Sequence, residues 1–316
     1  MQPELPKHLL GQTGLEVTPI CAGGAPLASI PQNFGYEVPA ERAYATLDAI
    51  FDSPINFLDS SNSYGHGESE KRIGAVIGER GGLPAGFVLA TKADRDPVTG
   101  DFSGARVRRS AEESLERLGL ERFTLFYLHD PEHISFAEAV APGGPVEEMV
   151  KLRESGLALH LGVAGGPVEF MADFLALGVF EVLLTHNRFT LVDRSSERLL
   201  SLASNQGVGV VNGAPFGGGL LARGTSYTNR YAYQPASAAT LKSVAAMEDV
   251  CGRYGVTLRA AALQFSLRED RICSTVVGTA SPEHVVELVA TASAELPAPL
   301  FEELASLCPP QSEWLW

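Results

Sequence analysis

One stretch decides the fold, Phe57-Leu-Asp-Ser-Ser-Asn-Ser-Tyr-Gly-His-Gly-Glu-Ser-Glu70. An apolar run over residues 55–58 leads into it, and a polar segment containing Asp59 and Tyr64 follows. A helical pattern then covers residues 69–77. A short apolar strand, a turn and an amphipathic helix in this order form the βα unit of parallel sheets.

Each of two further apolar runs is followed by a side chain that can take part in catalysis. Lys92 follows residues 87–91, and His129 follows residues 125–128. In a parallel β/α barrel the carboxyl ends of the strands gather on one face. An Asp, a Tyr, a Lys and a His brought together there can form a proton relay. In such a relay the ammonium lowers the pKa of the phenol, the carboxylate balances the ammonium, and the imidazole orients a carbonyl or hydroxyl oxygen.

Strand-like and helix-like patterns alternate along the whole chain. Eight strands are predicted, over residues 19–23, 55–58, 87–91, 125–129, 158–163, 182–185, 208–212 and 272–277. Helices are predicted between and after them, over residues 39–52, 69–77, 104–118, 145–155, 167–177, 193–205, 237–254, 258–267 and 282–292. A chain of 316 residues suits one α/β barrel, which needs about 250 residues plus loops. We therefore predict the α/β class, with a single (β/α)₈ TIM barrel domain over residues 1–316.

Four segments depart from the simple alternation. Residues 7–17 are predicted to form a hairpin that plugs the amino-terminal end of the barrel. Long connections cover residues 131–145 and 216–234, and a tail covers residues 296–316. Because long loops at the carboxyl ends of the strands usually shape the substrate pocket, we expect these three segments to form its walls.

Composition narrows the classes of partner. The chain is 45% hydrophobic and 20% charged, with a formal net charge of −14, which disfavours nucleic acid and anionic membranes as partners. The amino terminus lacks the apolar core of a signal peptide. Four scattered cysteines, without a C-x-x-C pair, predict free thiols in a cytoplasmic protein. No spacing of His, Cys and carboxylates indicates a metal site, so none is predicted.

The order Asp, Tyr, Lys, His, together with the Gly-x-Gly-x-Ser-Glu end of the opening stretch, resembles the aldo-keto reductase superfamily. Two further segments that match the superfamily are Ala90-Thr-Lys92 and Tyr127-Leu-His-Asp-Pro131. Within the superfamily, residues 184–193 most resemble the aldose 1-dehydrogenase and pyridoxal 4-dehydrogenase branch. The resemblance implies that Tyr64 is the general acid or base, assisted by Lys92 and Asp59, and that His129 holds the reacting oxygen.

The resemblance also implies where a nicotinamide cofactor binds. The amide of Asn187 matches a family position that hydrogen-bonds the nicotinamide carboxamide. The loops after the fifth, seventh and eighth strands supply the other candidates, although they depart from the usual Ser-Asn and Tyr of the family. The complete predicted set is Asn187, Ala164, Gly165, Gly213, Phe216, Gly217, Gly278, Thr279 and His284.

The same loops bear on the choice between NAD and NADP. Relatives that prefer NADP carry a Lys and an Arg for the 2′-phosphate, and these positions match Gly278 and His284 here. Glu283 and Glu287 add negative charge, so NAD is the preferred prediction and NADP stays open. Without a G-x-G-x-x-G after a strand, a Rossmann domain is not supported.

The leading functional hypothesis is a nicotinamide-dependent oxidoreductase that acts on a small carbonyl or sugar substrate. An aldose 1-dehydrogenase, which converts a hemiacetal to a lactone, fits the resemblance best. Two alternatives stay open: an NADPH-dependent aldehyde or ketone reductase, and a regulatory subunit that binds nicotinamide but turns over little.

Overall fold

The centre of the molecule is a closed barrel of eight parallel strands. The computed structural model describes residues 3–316. The strands follow one another around the barrel in chain order, and the eighth pairs with the first. They are β1 (Ile20–Gly23), β2 (Phe57–Asp59), β3 (Val88–Ala93), β4 (Phe123–His129), β5 (Ala158–Gly165), β6 (Val182–His186), β7 (Gly209–Gly213) and β8 (Ser274–Gly278). The predicted (β/α)₈ barrel is thereby confirmed.

Helices follow the strands and form the outer layer. The longer ones are α1 (Ala40–Phe51), α2 (Glu68–Arg80), α3 (Gly104–Leu118), α4 (Pro145–Glu154), α5 (Val168–Ala176), α6 (Glu197–Asn205), α7 (Ala238–Arg253), α8 (Leu258–Leu267), α9 (Pro282–Ala292) and α10 (Ala298–Ser306). Short helical turns cover Ala25–Ala28, Pro31–Phe34, Pro131–His133, Phe136–Ala139, Gly217–Gly219, Leu220–Arg223 and Gln311–Glu313. Within residues 3–316 no helix has both the length and the apolar character that crossing a membrane requires.

The predicted strand ends were too early at the functional face. Asp59 is the last residue of β2 and pairs with Ala90, and Lys92 lies inside β3 opposite Tyr127. The strands continue because their backbone groups still find partners in neighbouring strands, although the side chains have become polar. Those polar side chains are therefore fixed by the sheet instead of lying in the loops.

The carboxyl-terminal region differs most from prediction. Helix α6 begins at Glu197, four residues after the predicted start at residue 193. Asp193 accepts hydrogen bonds from the backbone N–H groups of Ser195 (2.9 Å) and Leu315 (2.6 Å). Its carboxylate therefore fastens the tail to the barrel instead of capping the helix. The tail also contains α10, which was not predicted.

Apolar side chains fill the barrel, and a hairpin closes its amino-terminal end. Strand residues such as Phe57 and Val211 pack in one buried cluster with Leu10 and Val17 of the hairpin. The hairpin pairs His8–Leu9 with Glu16–Val17. This arrangement agrees with the predicted plug.

Gly11 seats the hairpin on the barrel floor. Its φ is +58°, and a Cβ atom there would lie 2.2 Å from the backbone nitrogen of Gly209. Gly14 of the same hairpin also has positive φ (+76°), but no atom of residues 3–316 lies within 4 Å of its Cβ position. The two glycines therefore share a left-handed backbone and differ in packing.

We predict that Gly11→Ala lowers the free energy of unfolding by about 1–3 kcal/mol more than Gly14→Ala does. Both variants carry the left-handed cost of about 1–2 kcal/mol, and only Gly11→Ala adds a backbone clash. Urea denaturation of both variants measures the difference. Equal losses would show that the hairpin does not seat on Gly209 as described.

Candidate active site

Lys92 links Asp59 and Tyr64 at the carboxyl end of the barrel. Its Nζ donates to Asp59 Oδ2 (2.7 Å), to the backbone carbonyl of Ser60 (2.6 Å) and to the Tyr64 hydroxyl (3.1 Å). The Lys92 side chain is only 1% exposed. An ammonium group so deeply buried needs a counter-charge and full hydrogen bonding, and this site supplies both.

The charge state of this pair follows from its contacts. Burial alone would lower the pKa of Lys92, but Asp59 and Tyr64 outweigh burial and raise it above its usual value. Burial raises the pKa of Asp59, and Lys92 opposes that effect. The 2.7 Å contact between the two groups favours the ion pair, so we assign an ammonium and a carboxylate here.

Tyr64 reaches the ammonium through an unusual turn. Gly65, His66 and Gly67 all have positive φ, and a Cβ atom at Gly65 would lie 2.6 Å from the Cβ of Ala28. The turn therefore needs glycine beside Tyr64. It brings the polar segment after β2 back over the barrel mouth.

The pKa of Tyr64 departs from the sequence-based expectation. Burial raises the pKa of the phenol well above its ordinary value, and Lys92 only partly lowers it. The expected direction of the lysine effect is present, but desolvation outweighs it. The phenol is therefore protonated near neutral pH in this structure, the form that a general acid needs.

His129 is the last residue of β4 and lies beside Tyr64, with the two rings edge to face and their centroids 5.9 Å apart. Its Nδ1 lies 2.6 Å from Asp94 Oδ1 and 3.1 Å from the hydroxyl of Ser61. A carboxylate at this distance favours the proton on Nδ1. Burial alone would lower the pKa of His129, but Asp130 and Asp94 outweigh burial and raise it, so the protonated ring can also donate from Nε2 to a substrate oxygen.

Asp94 was not among the residues singled out from the sequence. Burial alone would raise its pKa, but His129 and Ser61 outweigh burial and lower it, so the group is ionised. It lies two residues beyond Lys92, and side chains two apart on a strand share a face. That spacing was the signal that could have identified it.

All four predicted catalytic residues line one cavity of about 910 Å³. The cavity also receives five of the nine predicted cofactor residues, namely Asn187, Gly213, Phe216, Gly278 and His284. The cavity extends from Tyr64 to the loop after β8. One continuous cavity therefore connects the proton relay to most of the predicted cofactor positions.

Asn187 carries a buried hydrogen-bond acceptor that a ligand could satisfy. It is 3% exposed, and its Oδ1 has no hydrogen-bond partner among residues 3–316. Its backbone is left-handed (φ +60°), and the Tyr231 hydroxyl donates to its carbonyl at 2.6 Å. A buried acceptor without a partner is costly, and a carboxamide N–H would satisfy it. The residues present thus fit a nicotinamide at this end of the cavity.

Four predicted cofactor residues lie behind the cavity wall. Ala164, Gly165, Gly217 and Thr279 are all buried. A Cβ atom at Gly165 would meet Met171 and Glu132, and one at Gly217 would meet the ring of Tyr231. The structure does not bring these four to the cavity, because their loops pack against neighbouring side chains.

The predicted pocket walls are only partly found. The connection after β7 contributes Phe216, Arg223, Tyr227 and Tyr233 to the cavity lining. Within the described part of the chain, residues 131–145 and the tail contribute none. In the first of these segments Phe136 packs on Phe170 and Phe174 of α5. The second is held by Asp193.

Three potential metal ligands lie close together near the carboxyl ends of β4 and β6, and two of them, Asp130 and His186, line the cavity. Asp130, Glu132 and His186 bring one ligand atom each within 4.8 Å of one another. His186 lies far from the other two along the chain, so spacing arguments did not reveal this proximity. The absence of a metal therefore stays a prediction.

Comparison with known proteins identifies the family. The model of the Aldo/keto reductase family matches residues 19–308. L-galactose dehydrogenase from Arabidopsis thaliana is 33% identical, over 89% of this chain and 86% of its own. Pyridoxal 4-dehydrogenase from Microbacterium luteolum is 29% identical, over 95% and 96%. D-threo-aldose 1-dehydrogenase from a Pseudomonas species is 29% identical, over 84% and 87%.

A solved aldo-keto reductase from Bacillus halodurans, in its holo form, superposes with a TM-score of 0.78 at 22% identity, over 98% of this chain and 97% of that one. The fold and the family match therefore agree. The chain belongs to the aldo/keto reductase family. It is an NAD(P)-dependent oxidoreductase, and the predicted resemblance is confirmed.

We predict that Tyr64→Phe lowers kcat by about 10²–10⁴ and leaves cofactor binding intact. The ring remains, but the proton that Tyr64 would transfer is gone. Tyr44→Phe, on the outer helix α1, is the matched control and should keep full activity. A Tyr64→Phe enzyme with most of its kcat would remove Tyr64 from the reaction.

We predict that Lys92→Met shifts the pH dependence of oxidation as well as lowering the rate. Lys92 lowers the pKa of Tyr64 against the effect of burial, so its removal raises that pKa further. Oxidation needs the ionised phenol, and the rising limb of the pH–rate profile should therefore move to higher pH. An unmoved limb would contradict this role.

The double variant Lys92→Met with Asp59→Asn serves as a folding control. Lys92→Met alone leaves a buried carboxylate unpaired, which costs about 3–5 kcal/mol. The double variant removes that charge and should regain stability without regaining the original pH profile. Thermal melting measures the first effect and initial rates the second.

Proposed function

We propose that this protein is an aldose 1-dehydrogenase that oxidises the anomeric hydroxyl of a sugar to a lactone and prefers NAD. The observation that carries the proposal is the contact of Lys92 Nζ with both Asp59 and the Tyr64 hydroxyl, at a cavity shared with Asn187. A bound nicotinamide would accept the hydride from the sugar.

In the proposed reaction the ionised form of Tyr64, which becomes populated as the pH rises, takes the proton of the hydroxyl group that is oxidised. Lys92 stabilises the phenolate through its ammonium, and Asp59 holds that ammonium in place. His129 donates through Nε2 of its protonated ring to the reacting oxygen, while Asp94 holds Nδ1. In the reverse direction Tyr64 donates its proton to a carbonyl oxygen.

Two observations support a sugar as the substrate. The relatives named L-galactose dehydrogenase and D-threo-aldose 1-dehydrogenase match nearly the whole chain. The cavity near Tyr64 is lined by several polar side chains that can bind hydroxyl groups, among them Gln32, Asn33, Ser63 and His66. Sugars require such donors and acceptors, whereas a simple aliphatic aldehyde does not.

The preference for NAD rests on the loop after β8. Gly278 brings no side chain, and burial together with Arg259 lowers the pKa of His284, so His284 is mostly neutral near pH 7. Glu287 Oε2 forms an ion pair with Nη1 of the Arg259 guanidinium at 2.9 Å. A charge-assisted contact is worth about 1.5–3 kcal/mol, or roughly ten- to a hundredfold in affinity, so these losses weaken binding of a 2′-phosphate.

A second candidate is an NADPH-dependent aldehyde or ketone reductase. Arg223 and Arg259 both line the cavity, and either guanidinium could reach a phosphate. Arg223 stacks on the ring of Tyr227, with its guanidinium carbon 4.3 Å from the ring centroid. The regulatory-subunit alternative has weaker support, because the complete relay serves turnover. A cytoplasmic location belongs to the same proposal.

The decisive experiment is a panel of aldoses, pyridoxal and simple aldehydes against both cofactors, read by nicotinamide absorbance. We expect oxidation of at least one aldose with NAD, and fluorescence titration should show NADH binding at least as tightly as NADPH. The Tyr64→Phe enzyme provides the blank for turnover. An affinity for NADPH tenfold or more above that for NADH would establish the reductase alternative instead.

A further inference from the structure

Asp130 lies between two imidazole rings at the reacting end of the cavity. Its Oδ1 is 3.8 Å from His129 Nε2 and 3.7 Å from His186 Nε2. All three residues line the cavity together with Tyr64. Both distances are longer than a hydrogen bond, so neither imidazole satisfies the carboxylate directly.

The Asp130 carboxylate is held in place without being satisfied. Its Oδ1 is buried and has no hydrogen-bond partner among residues 3–316. The backbone of Asp130 is left-handed (φ +45°), a conformation that residues other than glycine adopt at a cost. Its N–H donates to the carbonyl of Ala164 at 2.7 Å, which fixes the turn after β4. The side chain as a whole is 35% exposed and lines the cavity, so the fold keeps the carboxylate at a defined position in the cavity wall.

His186 offers the complementary donor. The Asn187 amide nitrogen lies 3.1 Å from His186 Nδ1, and because an amide NH₂ group only donates, Nδ1 accepts. In the neutral imidazole the proton is then on Nε2, which faces Asp130. An acceptor and a donor side by side match a hydroxyl group, which can donate to one and accept from the other.

The charge of Asp130 sharpens this match. A carboxyl group is ordinarily ionised near neutral pH, and the imidazoles of His129 and His186, 3.8 Å and 3.7 Å away, favour the charged form. An ionised carboxylate only accepts hydrogen bonds, and it repels anionic groups. A neutral ligand with hydroxyl groups suits it, and an apolar ligand would leave it unpaired at a cost.

We propose that Asp130 and His186 form a hydroxyl-binding subsite that selects substrates with a hydroxyl group on the carbon next to the reacting carbon. The proposal rests on the proposed oxidation of sugars. His129 would hold the reacting oxygen, and Asp130 Oδ1 lies 3.8 Å from His129 Nε2. A hydroxyl group on the next carbon would therefore lie within reach of the Asp130 carboxylate. A site built to pair a hydroxyl rejects an analogue that lacks one, because its polar groups stay unpaired.

The test compares an aldose with its 2-deoxy analogue in wild-type enzyme and in Asp130→Asn. We expect wild type to favour the aldose by at least about tenfold in kcat/KM, and Asp130→Asn to lose most of that preference. Asparagine tolerates left-handed backbone, so the turn should persist. His186→Phe, which keeps a ring but removes the donor, should reduce the preference in the same direction.

Glu132→Gln is the matched control. Glu132 belongs to the same cluster, and its Oε1 accepts from the Gly166 N–H at 3.0 Å, a bond that glutamine can keep. It removes one negative charge near Asp130 without touching the cavity lining, so the preference should remain as in wild type. An equal loss in Glu132→Gln would show that net charge, and not the hydroxyl contact, sets the preference.

Failure of the subsite is distinguishable from failure of the sugar proposal. If wild type oxidises no aldose, the proposed function fails, and reduction of glyceraldehyde against propanal then tests the subsite by itself. If Asp130→Asn slows the hydroxylated and deoxy substrates equally in either pair, the subsite is wrong. A preference that EDTA abolishes and a divalent cation restores would also overturn it, since a metal would then occupy the cluster.

Discussion

The structure depends on one buried positive charge. Lys92 sits at the carboxyl end of the barrel with 1% of its side chain exposed. A buried ammonium is stable only where a counter-charge and hydrogen-bond acceptors already stand, and Asp59 and the Ser60 carbonyl provide them. Because the partners come from the neighbouring strand β2, the register of β2 and β3 is part of the site.

A second tier of polar contacts secures the segments around this charge. Asp94 binds His129 and also accepts from the backbone N–H of Ser63, which precedes Tyr64. Glu70 of α2 is fully buried and accepts from the Thr91 hydroxyl at 2.6 Å, next to Lys92 in β3. Strand ends and the first turn of a helix are thereby tied together. The geometry of the relay is thus held by side chains that would not themselves touch a substrate.

The cavity divides into regions with different physical character. Near Tyr64 and Asp130 it is polar and charged, and Asn187 presents an amide oxygen that has no hydrogen-bond partner in the described part of the chain. Toward the loop after β8, Gly278 offers no side chain, and the nearby guanidinium of Arg259 is already paired with Glu287. This gradient is the physical basis of the proposal that a sugar binds at one end and a cofactor without a 2′-phosphate along the other.

Much of the architecture could be predicted because periodicity is a local property. Helix α3 (Gly104–Leu118) was predicted with its observed bounds, since Ser103 caps its start and Gly119 ends it. The ends of β2 and β3 were predicted too early, because polar side chains mask a backbone that is still paired. Helix α10 was missed for a related reason: its packing on α7 is a tertiary contact.

The sequence by itself determined the barrel and the family, and it predicted the four relay residues. These follow from local patterns and from a motif that lies largely in one stretch. Only the tertiary structure decided that Asp94 fixes the ring of His129 and that Asp130 meets His186. It also decided that Ala164, Gly165, Gly217 and Thr279 lie behind the cavity wall. Such contacts join residues from different strands and loops, and their distances depend on how the barrel closes, which no local pattern encodes.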